Sequence, residues 1–375
     1  MTMALDDIIE RIRAAGASGT PLCIRGGGSK DFYGGAPTGE LLDMRGHSGI
    51  SSYEPSELVV TVRAGTPLAE LEAVLAQQGQ CLAFEPPRFE SASRGTVGGM
   101  VAAGLAGPSR ASVGSVRDFV LGASLVNGRG ELLTFGGQVM KNVAGYDVSR
   151  VLAGSLGVLG VIAELSLKVL PVAPAEATLA FECSQADALR LLNEWGGQPL
   201  PLNASCWMAQ GGQGWLYLRL RGAQAAVEAA CRQLGGERAD VAESAASWTA
   251  LRDQAVPFFA ELAGSGQDLW RVSVPQTAPV LSIAGAQAPL VEWHGGQRWY
   301  ALPPGQADSV RAAARAAGGH ATLFRRAAAG GEGAHTGGVE AFDSLSPALH
   351  KIHAALKREF DPHGIFNRGR LYADL

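Results

Sequence analysis

Charge is what this sequence has little of: Asp, Glu, Lys and Arg together make up 18% of its 375 residues. The 31 Lys and Arg against 35 Asp and Glu leave a formal net charge of −4, with no basic block, so the electrostatic footprint of a nucleic-acid binder is missing. Cysteine is scarce and scattered. Cys23, Cys81, Cys183, Cys206 and Cys231 form no C-x-x-C pair, which argues against structural zinc and iron–sulfur clusters in this chain. An odd, dispersed set reads as reduced thiols of a cytosolic protein. No uncharged apolar run reaches the roughly 18 residues of a membrane-spanning helix. The opening MTMALDDIIERIRAAG mixes acids and bases where a secretory leader has a basic start and an apolar stretch. Catalytic strings are missing too: there is no G-x-S-x-G elbow, no H-E-x-x-H and no Cys set with a nearby His.

What is abundant is glycine, 50 residues in a chain that is 47% hydrophobic. This composition suits a globular enzyme of two or three domains with many tight turns. The spacing predicts a first helix with Ile8, Ile9 and Ile12 buried, a strand over 21–25 and a strand over 58–63. Thr66-Pro67 predicts a capped helix start with Leu68, Leu71, Val74 and Leu75 on one face and a stop at Gly79. Strands follow at 119–126 and 161–169, with Asn127-Gly128 and Gly130 as a hairpin turn. Pro171 and Pro174 mark a domain boundary. Beyond them a strand–helix–strand–strand–helix–strand order appears twice, over 177–242 and 269–324, the order of a ferredoxin-like unit. Two such units could lie edge to edge as one antiparallel sheet with helices on one face. A last helix over 346–359 places Leu349, Ile352, Leu356 and Phe360 on one face. The tail FDPHGIFNRGRLY, rich in anchors, is expected to pack back on the body.

Three glycine loops carry the functional signal. Arg25-Gly26-Gly27-Gly28-Ser29-Lys30 directly follows a strand. Successive amides there can point at phosphate oxygens, with a hydroxyl and two cations beside them. Read alone it is weak evidence and an ordinary tight turn accounts for it better, and it fits neither the Walker loop nor G-x-G-x-x-G. The stretch Thr96-Val97-Gly98-Gly99 through Gly104 and the stretch Gly154 to Gly160, with Lys141 to Asp147 before it, offer backbone donors and little side-chain chemistry. Together they suggest a long ligand held mainly by backbone. A dinucleotide redox cofactor fits, since cofactors carry the chemistry that side chains lack.

The motifs RGGGSK, LVVTVRAGTPLAELEAVLAQQGQ, GTVGGMVAAGLAGPSR, VGSVRDFVLGASLVNGRGELL, KNVAGYDVSRVLAGSLGVLGVI and the tail resemble, in order, the FAD domain of the vanillyl-alcohol oxidase/p-cresol methylhydroxylase superfamily. The match covers about residues 5–172 and the C-terminal tail. The resemblance implies an α+β fold: a PCMH-type FAD-binding domain of two α/β subdomains over 1–172, a cap domain with a helix-covered antiparallel sheet over 173–330, and a return to the FAD domain over 331–375. Within the superfamily the sequence is similar to the FAD-binding E subunits of bacterial glycolate oxidases, by its length, KNVAGYDVSR and its ending. That implies FAD as cofactor, a small 2-hydroxy acid as substrate, and a second FAD-containing subunit and an iron–sulfur subunit as partners. It also implies a cytoplasmic place, at most peripheral on the membrane through those partners.

The same resemblance assigns residues. Arg25, Gly26, Gly27, Gly28, Ser29 and Lys30 would cradle the pyrophosphate. Pro86, Pro87, Thr96, Val97, Gly98 and Gly99 would line the pyrophosphate and flavin edge. Gly104 and the segment from Gly107 to Gly114 would lie along the cofactor. Gly157, Gly160, Val161 and Ile162 would form the adenine-side wall, and Asn367 and Arg370 would sit near the flavin. Arg368 stands where several relatives have proline. Ser29 stands where relatives that tether FAD place His, so a covalent link there is excluded. The cap lacks the metal-binding string H-P-G-D-G-N-x-H of related dehydrogenases, and its histidines His294 and His320 stand alone. No metal is expected, although His350 and His353 share a helix face. No catalytic base is assigned; Lys141 and Tyr146 are weak candidates, and His363 could face the flavin. Cap tryptophans Trp207, Trp215, Trp270, Trp293 and Trp299 are expected in the core or an interface. Two other readings stay open: a free-standing flavin dehydrogenase, and an assembly subunit whose flavin is structural.

Overall fold

A computed structural model describes residues 4–89, 95–137, 147–327 and 339–375. Lys141, Tyr146 and His335 lie outside the described residues. The chain divides into two compact units: the chain up to Leu105 with Ser115–Val172 and Ser344–Leu375, and Ala106–Gly114 with Ala173–Asp343.

In the first unit, helix α1 (Leu5–Ser18) buries Ile8 and Ile12 completely and ends on left-handed Gly19, while Ile9 is only partly covered. Strands β1 (Leu22–Arg25) and β2 (Glu40–Asp43) pair in parallel. Strands β3 (Ile50–Glu54) and β4 (Val59–Arg63) lead to helix α2 (Leu68–Gln77) and the short strand β5 (Gln80–Cys81). Thr66 does not cap α2; its hydroxyl bonds Gly49 and Arg63 carbonyls instead. Helix α3 (Val97–Ala103) is capped by the Thr96 hydroxyl, which accepts from the Gly99 amide. Helix α4 (Arg110–Val113) belongs to the second unit, and α5 (Val116–Phe119) returns to the first. Strands β6 (Val120–Val126), β7 (Leu132–Gly136) and β8 (Val161–Lys168) complete an antiparallel sheet ordered β3-β4-β8-β6-β7, and β9 (Leu170–Pro171) pairs with β5.

The β6–β7 turn is held by Asn127, whose side-chain oxygen accepts from the Arg129 and Glu131 amides. Gly130 alone of its two glycines has a positive φ, 70°. Gly128 is glycine for another reason: a Cβ there would lie 2.7 Å from the Asp361 carboxylate, and its amide donates to the Phe360 carbonyl.

The second unit is one antiparallel sheet of eight strands: β10 (Ala175–Glu182), β11 (Leu202–Gln210), β12 (Gln213–Gly222), β13 (Glu237–Arg238), β14 (Asp268–Ser273), β15 (Leu290–Glu292), β16 (Gln297–Leu302) and β17 (His320–Arg325). Their order is β13-β10-β12-β11-β15-β16-β14-β17. Each half has the strand order of a ferredoxin-like unit, and the halves join edge to edge where Cys206 opposes Glu292. Helices α6 (Gln185–Gly196) and α7 (Gln224–Leu234) pack on Leu216, Leu218 and Leu220 of the first half.

Three expectations for this unit are corrected. Helix α8 (Val241–Arg252) replaces the predicted strand end at 239–242, because Asp240 caps it by accepting from the Ala242 and Glu243 amides. Its Trp248 indole donates to Thr178, on the sheet face opposite Leu179, so helices cover both faces. Phe259 of α9 (Pro257–Ala260) stacks edge-on against Trp299 on that same face. Residues 278–284 form turns and no helix, since Pro275, Pro279 and Gly285 interrupt them. Their carbonyls instead satisfy the buried Arg298, bonded to Ala278 at 2.6 Å and to Pro279. The second half is closed by α10 (Ala307–Ala316). Residues 339–343 stay with it: Leu323 donates to Ala341 at 2.7 Å, and Arg311 bonds the Glu340 and Phe342 carbonyls.

The chain re-enters the first unit as α11 (Pro347–Phe360). Of the four apolar residues on one face, Leu349 and Ile352 are 49% and 54% exposed, whereas Leu356 and Phe360 are partly covered. The helix is anchored by Lys357, whose ammonium donates to Val158 and Phe366 carbonyls and to Asp361, all within 2.9 Å. Burial pushes the Lys357 pKa down, opposed by Asp361. The tail then pairs with β1: Leu22 donates to Ile365 and Asn367 donates to Leu22.

Candidate active site

Within the first unit, two adjoining clefts of about 90 and 60 Å³ share Ile24, Gly26, Thr96, Gly99, Leu156 and Asn367. The larger adds Arg25, Gly27, Gly28, Ser29, Lys30 and Arg370; the smaller adds Gly98, Gly157, Gly160 and Ile162. Fourteen assigned cofactor residues therefore converge from four separated chain segments.

The first loop fits an anionic ligand. Among the described residues, the amides of Gly26, Gly27, Gly28 and Ser29 donate to no protein acceptor. Three cations line the cleft against one carboxylate. Arg25 pairs with that carboxylate, Asp31, at 2.5 Å. Lys30 reaches the Ser29 hydroxyl at 3.3 Å and stands 5.7 Å from the Phe89 ring centre. Arg370 is buried and bonds the Lys30, Asp31 and Gly35 carbonyls, so it holds the loop as well as charging it. Burial pushes its pKa down, with Asp31 and Cys23 opposing. Cys23 lines the cleft as a thiol, its pKa raised by burial and by Asp31.

The loop from Thr96 to Gly99 behaves differently from the sequence expectation. Its amides already have protein acceptors: Val97 donates to Thr66, Gly98 to Ala64 and Gly99 to the Thr96 hydroxyl. These glycines admit neighbouring chain. A Cβ on Gly98 would come 2.7 Å from the Ala64 Cβ, and one on Gly26 would come 2.2 Å from the Thr96 hydroxyl. Asn367 (φ 41°) ties the segments together: its oxygen accepts from the Ile24 amide at 2.7 Å and its amide donates to Leu156 at 2.7 Å.

Other assigned residues lie off the clefts. Val97 and Val161 are fully buried side chains, Val161 packed with Ile8 and Phe366. Pro86 and Pro87 are buried in the loop that brings Phe89 to Lys30. Gly104 is the left-handed C-cap of α3. Gly107 and Gly114 fall in the second unit, where the Gly107 carbonyl accepts from the Trp293 indole at 3.0 Å. His363 lies against Gly16, 3.1 Å from where a Cβ would stand, and not in either cleft. His350 pairs with Asp374 at 2.6 Å. Among the described residues no group of three or more His, Cys, Asp or Glu could hold a metal. Sequence reasoning missed Cys23, Ile24, Asp31, Pro37, Met44, Ala64, Ala102, Ala103 and Leu156 as lining. Asp31 had a signal, standing one residue past the RGGGSK motif.

Backbone donors and excess positive charge suit an anionic cofactor, and residues 4–136 match the family model described as an FAD binding domain. The protein is an FAD-dependent oxidoreductase. It is 44% identical over 368 residues to glycolate oxidase subunit GlcE of Escherichia coli (strain K12), covering 98% of this chain and 97% of that one, and it belongs to that family. It is also 30% identical over 185 residues to glycolate oxidase subunit GlcD of Bacillus subtilis (strain 168), covering 49% of this chain and 39% of the relative. A solved alkyldihydroxyacetonephosphate synthase superposes with a TM-score of 0.64 at 16% identity, over 96% of this chain and 74% of that one, which shows the shared fold. No described helix is long and apolar enough to cross a membrane.

Proposed function

We propose that this chain is the FAD-binding subunit of a glycolate oxidase that converts glycolate to glyoxylate together with a second FAD-containing subunit and an iron–sulfur subunit. The near full-length identity to GlcE carries the reading. In it, residues up to 172 with the C-terminal tail form the FAD-binding domain and the second unit is the cap. Bound FAD supplies an acceptor for the two electrons and hydrogen leaving the substrate carbon. Gly26 to Ser29 would hold its phosphates through free amides, with Arg25 and Lys30 balancing their charge. FAD is held without a covalent bond, in keeping with the Ser29 hydroxyl and the protonated Cys23 thiol.

One observation favours a second reading, a subunit that relays electrons or supports assembly. Among the described residues neither cleft presents a histidine, and the one lining carboxylate, Asp31, is paired with Arg25. Anaerobic addition of glycolate to the purified chain, and to the chain co-expressed with its partners, separates the two. Bleaching of the flavin in the chain alone assigns it substrate oxidation. Bleaching only with the partners present makes it the relay, and no bleaching in either removes glycolate as substrate.

A further inference from the structure

The second unit holds a cavity of about 300 Å³, larger than either cofactor cleft and built from its own elements. Its floor is the sheet face opposite the α6–α7 core, with Thr178, Cys206, Met208 and Tyr217. Its roof is one face of α8, where Ser244, Ser247, Trp248 and Leu251 recur at helical spacing, followed by Val256 and Pro257. Protein interiors hold few voids larger than a water molecule. Here the space arises because α8 turns the small Ser244 toward the sheet beside Trp248 and leaves the small Ser247 at the rim, where packing alone would place larger apolar residues.

Three observations define what would fill it. The Trp248 ring is fixed: its indole donates to Thr178 at 2.9 Å, and the Arg219 guanidinium stacks 4.8 Å from it, held by Asn203 at 2.7 Å. The lining includes no Lys, Arg or His; its one carboxylate is Glu243. The Ser244 hydroxyl, on a residue 92% buried, has no hydrogen-bond partner. A buried hydroxyl left unpaired is destabilising, and a ligand atom bonded to it would recover that cost. An apolar cavity of about 150 Å³ accepts benzene, so this one has room for about two fused rings.

We propose that this cavity is a binding site for an uncharged aromatic molecule of about two rings that hydrogen-bonds Ser244 and packs on Trp248. It is separate from the FAD clefts, which share none of its residues. It is not a site for the anionic 2-hydroxy acid, because nothing lining it would balance a carboxylate.

Calorimetric titration of the full-length flavin-loaded chain with 2-naphthol, and with its anionic counterpart 2-naphthoate, tests this. The expected result is one saturable 2-naphthol site per chain and at least tenfold weaker binding of 2-naphthoate. Ser247→Phe, at an exposed position on the rim, fills the cavity and removes 2-naphthol binding while flavin content is kept. Ser244→Ala weakens binding about three- to tenfold. Absence of saturable 2-naphthol binding, equal binding of the two probes, or binding undiminished in Ser247→Phe overturns the proposal.

Discussion

The two units build their interiors by different means. In the first, the walls of the cleft are main chain. Gly26 faces Thr96, Gly98 faces Ala64 and Gly157 faces Asn367 at distances that leave no space for a Cβ. In the second, side chains fill the space: Trp270, Tyr300 and Phe324 are fully buried, and Trp299 lies between Phe259 and Phe324 at 5.4 and 4.8 Å. The glycines there that terminate helices or turns, such as Gly196, stand in the open. Close-packed glycines occur in the second unit too, where a Cβ on Gly319 or Gly214 would come 2.0 or 2.4 Å from a neighbouring carbonyl. There they admit adjacent chain, and none lines the unit's cavity of about 300 Å³.

Substitutions sharpen this contrast, the largest effect first. Lys357→Met in the first unit removes a buried ammonium with three carbonyl and carboxylate partners and leaves Asp361 uncompensated. It is expected to lose about 3–5 kcal/mol of stability in chemical denaturation. A shift below about 1 kcal/mol would mean that the tail is held by its apolar anchors Ile365 and Phe366 alone.

In the second unit the largest single effect is electrostatic. Trp293 and His294 both have left-handed backbones, φ 53° and 55°, and burial lowers the His294 pKa to about 4. Its Nε2 lies 3.1 Å from the Ser112 hydroxyl. Between pH 4 and about 6.5 the unfolded chain binds a proton that the folded chain does not. The contribution is therefore complete above about pH 6.5 and is lost as pH falls toward 4, by roughly 3 kcal/mol at most. His294→Asn, which tolerates the left-handed region, is expected to flatten that part of the stability–pH profile. A profile parallel to the wild type would show the imidazole to be solvated.

Gly157→Val forces a β-branched residue to φ 75° with its Cβ 2.7 Å from the Asn367 amide. It is expected to cost about 1–3 kcal/mol and to release flavin in gel filtration. Gly196→Ala, where nothing lies within 4 Å, is expected to be neutral or to stabilise by up to about 1 kcal/mol in thermal unfolding. The smallest effect belongs to Ile352→Gln on α11, within about 0.5 kcal/mol, because that side chain is 54% exposed.

The same contrast explains what could be read from the sequence. Glycine loops, β-branched runs and the anchored tail are local signals, but it was the family resemblance that assigned the fourteen residues found lining the clefts. What a backbone-rich motif does not disclose is whether its amides are free. Among the described residues the Gly26 to Ser29 amides have no acceptor, whereas those of Val97, Gly98 and Gly99 already serve the fold. Nor does strand periodicity say which neighbour of a wall residue faces inward, so Ile162 lines a cleft and Val161 packs in the core. In the second unit the repeat was legible from its element order. The insertion of α8 on the opposite face was not, because its buried residues are only Ser244, Trp248 and Leu251 and give little apolar periodicity. The apolar face of α11 did not disclose Lys357, a charged residue that is the buried anchor of the helix.

The account rests most directly on the loop from Arg25 to Lys30 as the anchor of FAD. Fluorescence titration of FAD into the apoprotein measures it, comparing wild type with Gly26→Val, whose side chain would collide with the Thr96 hydroxyl. One FAD per wild-type chain, and binding weakened at least a hundredfold in a variant that keeps its circular dichroism, is the predicted result. Equal FAD affinity in the two proteins would contradict it.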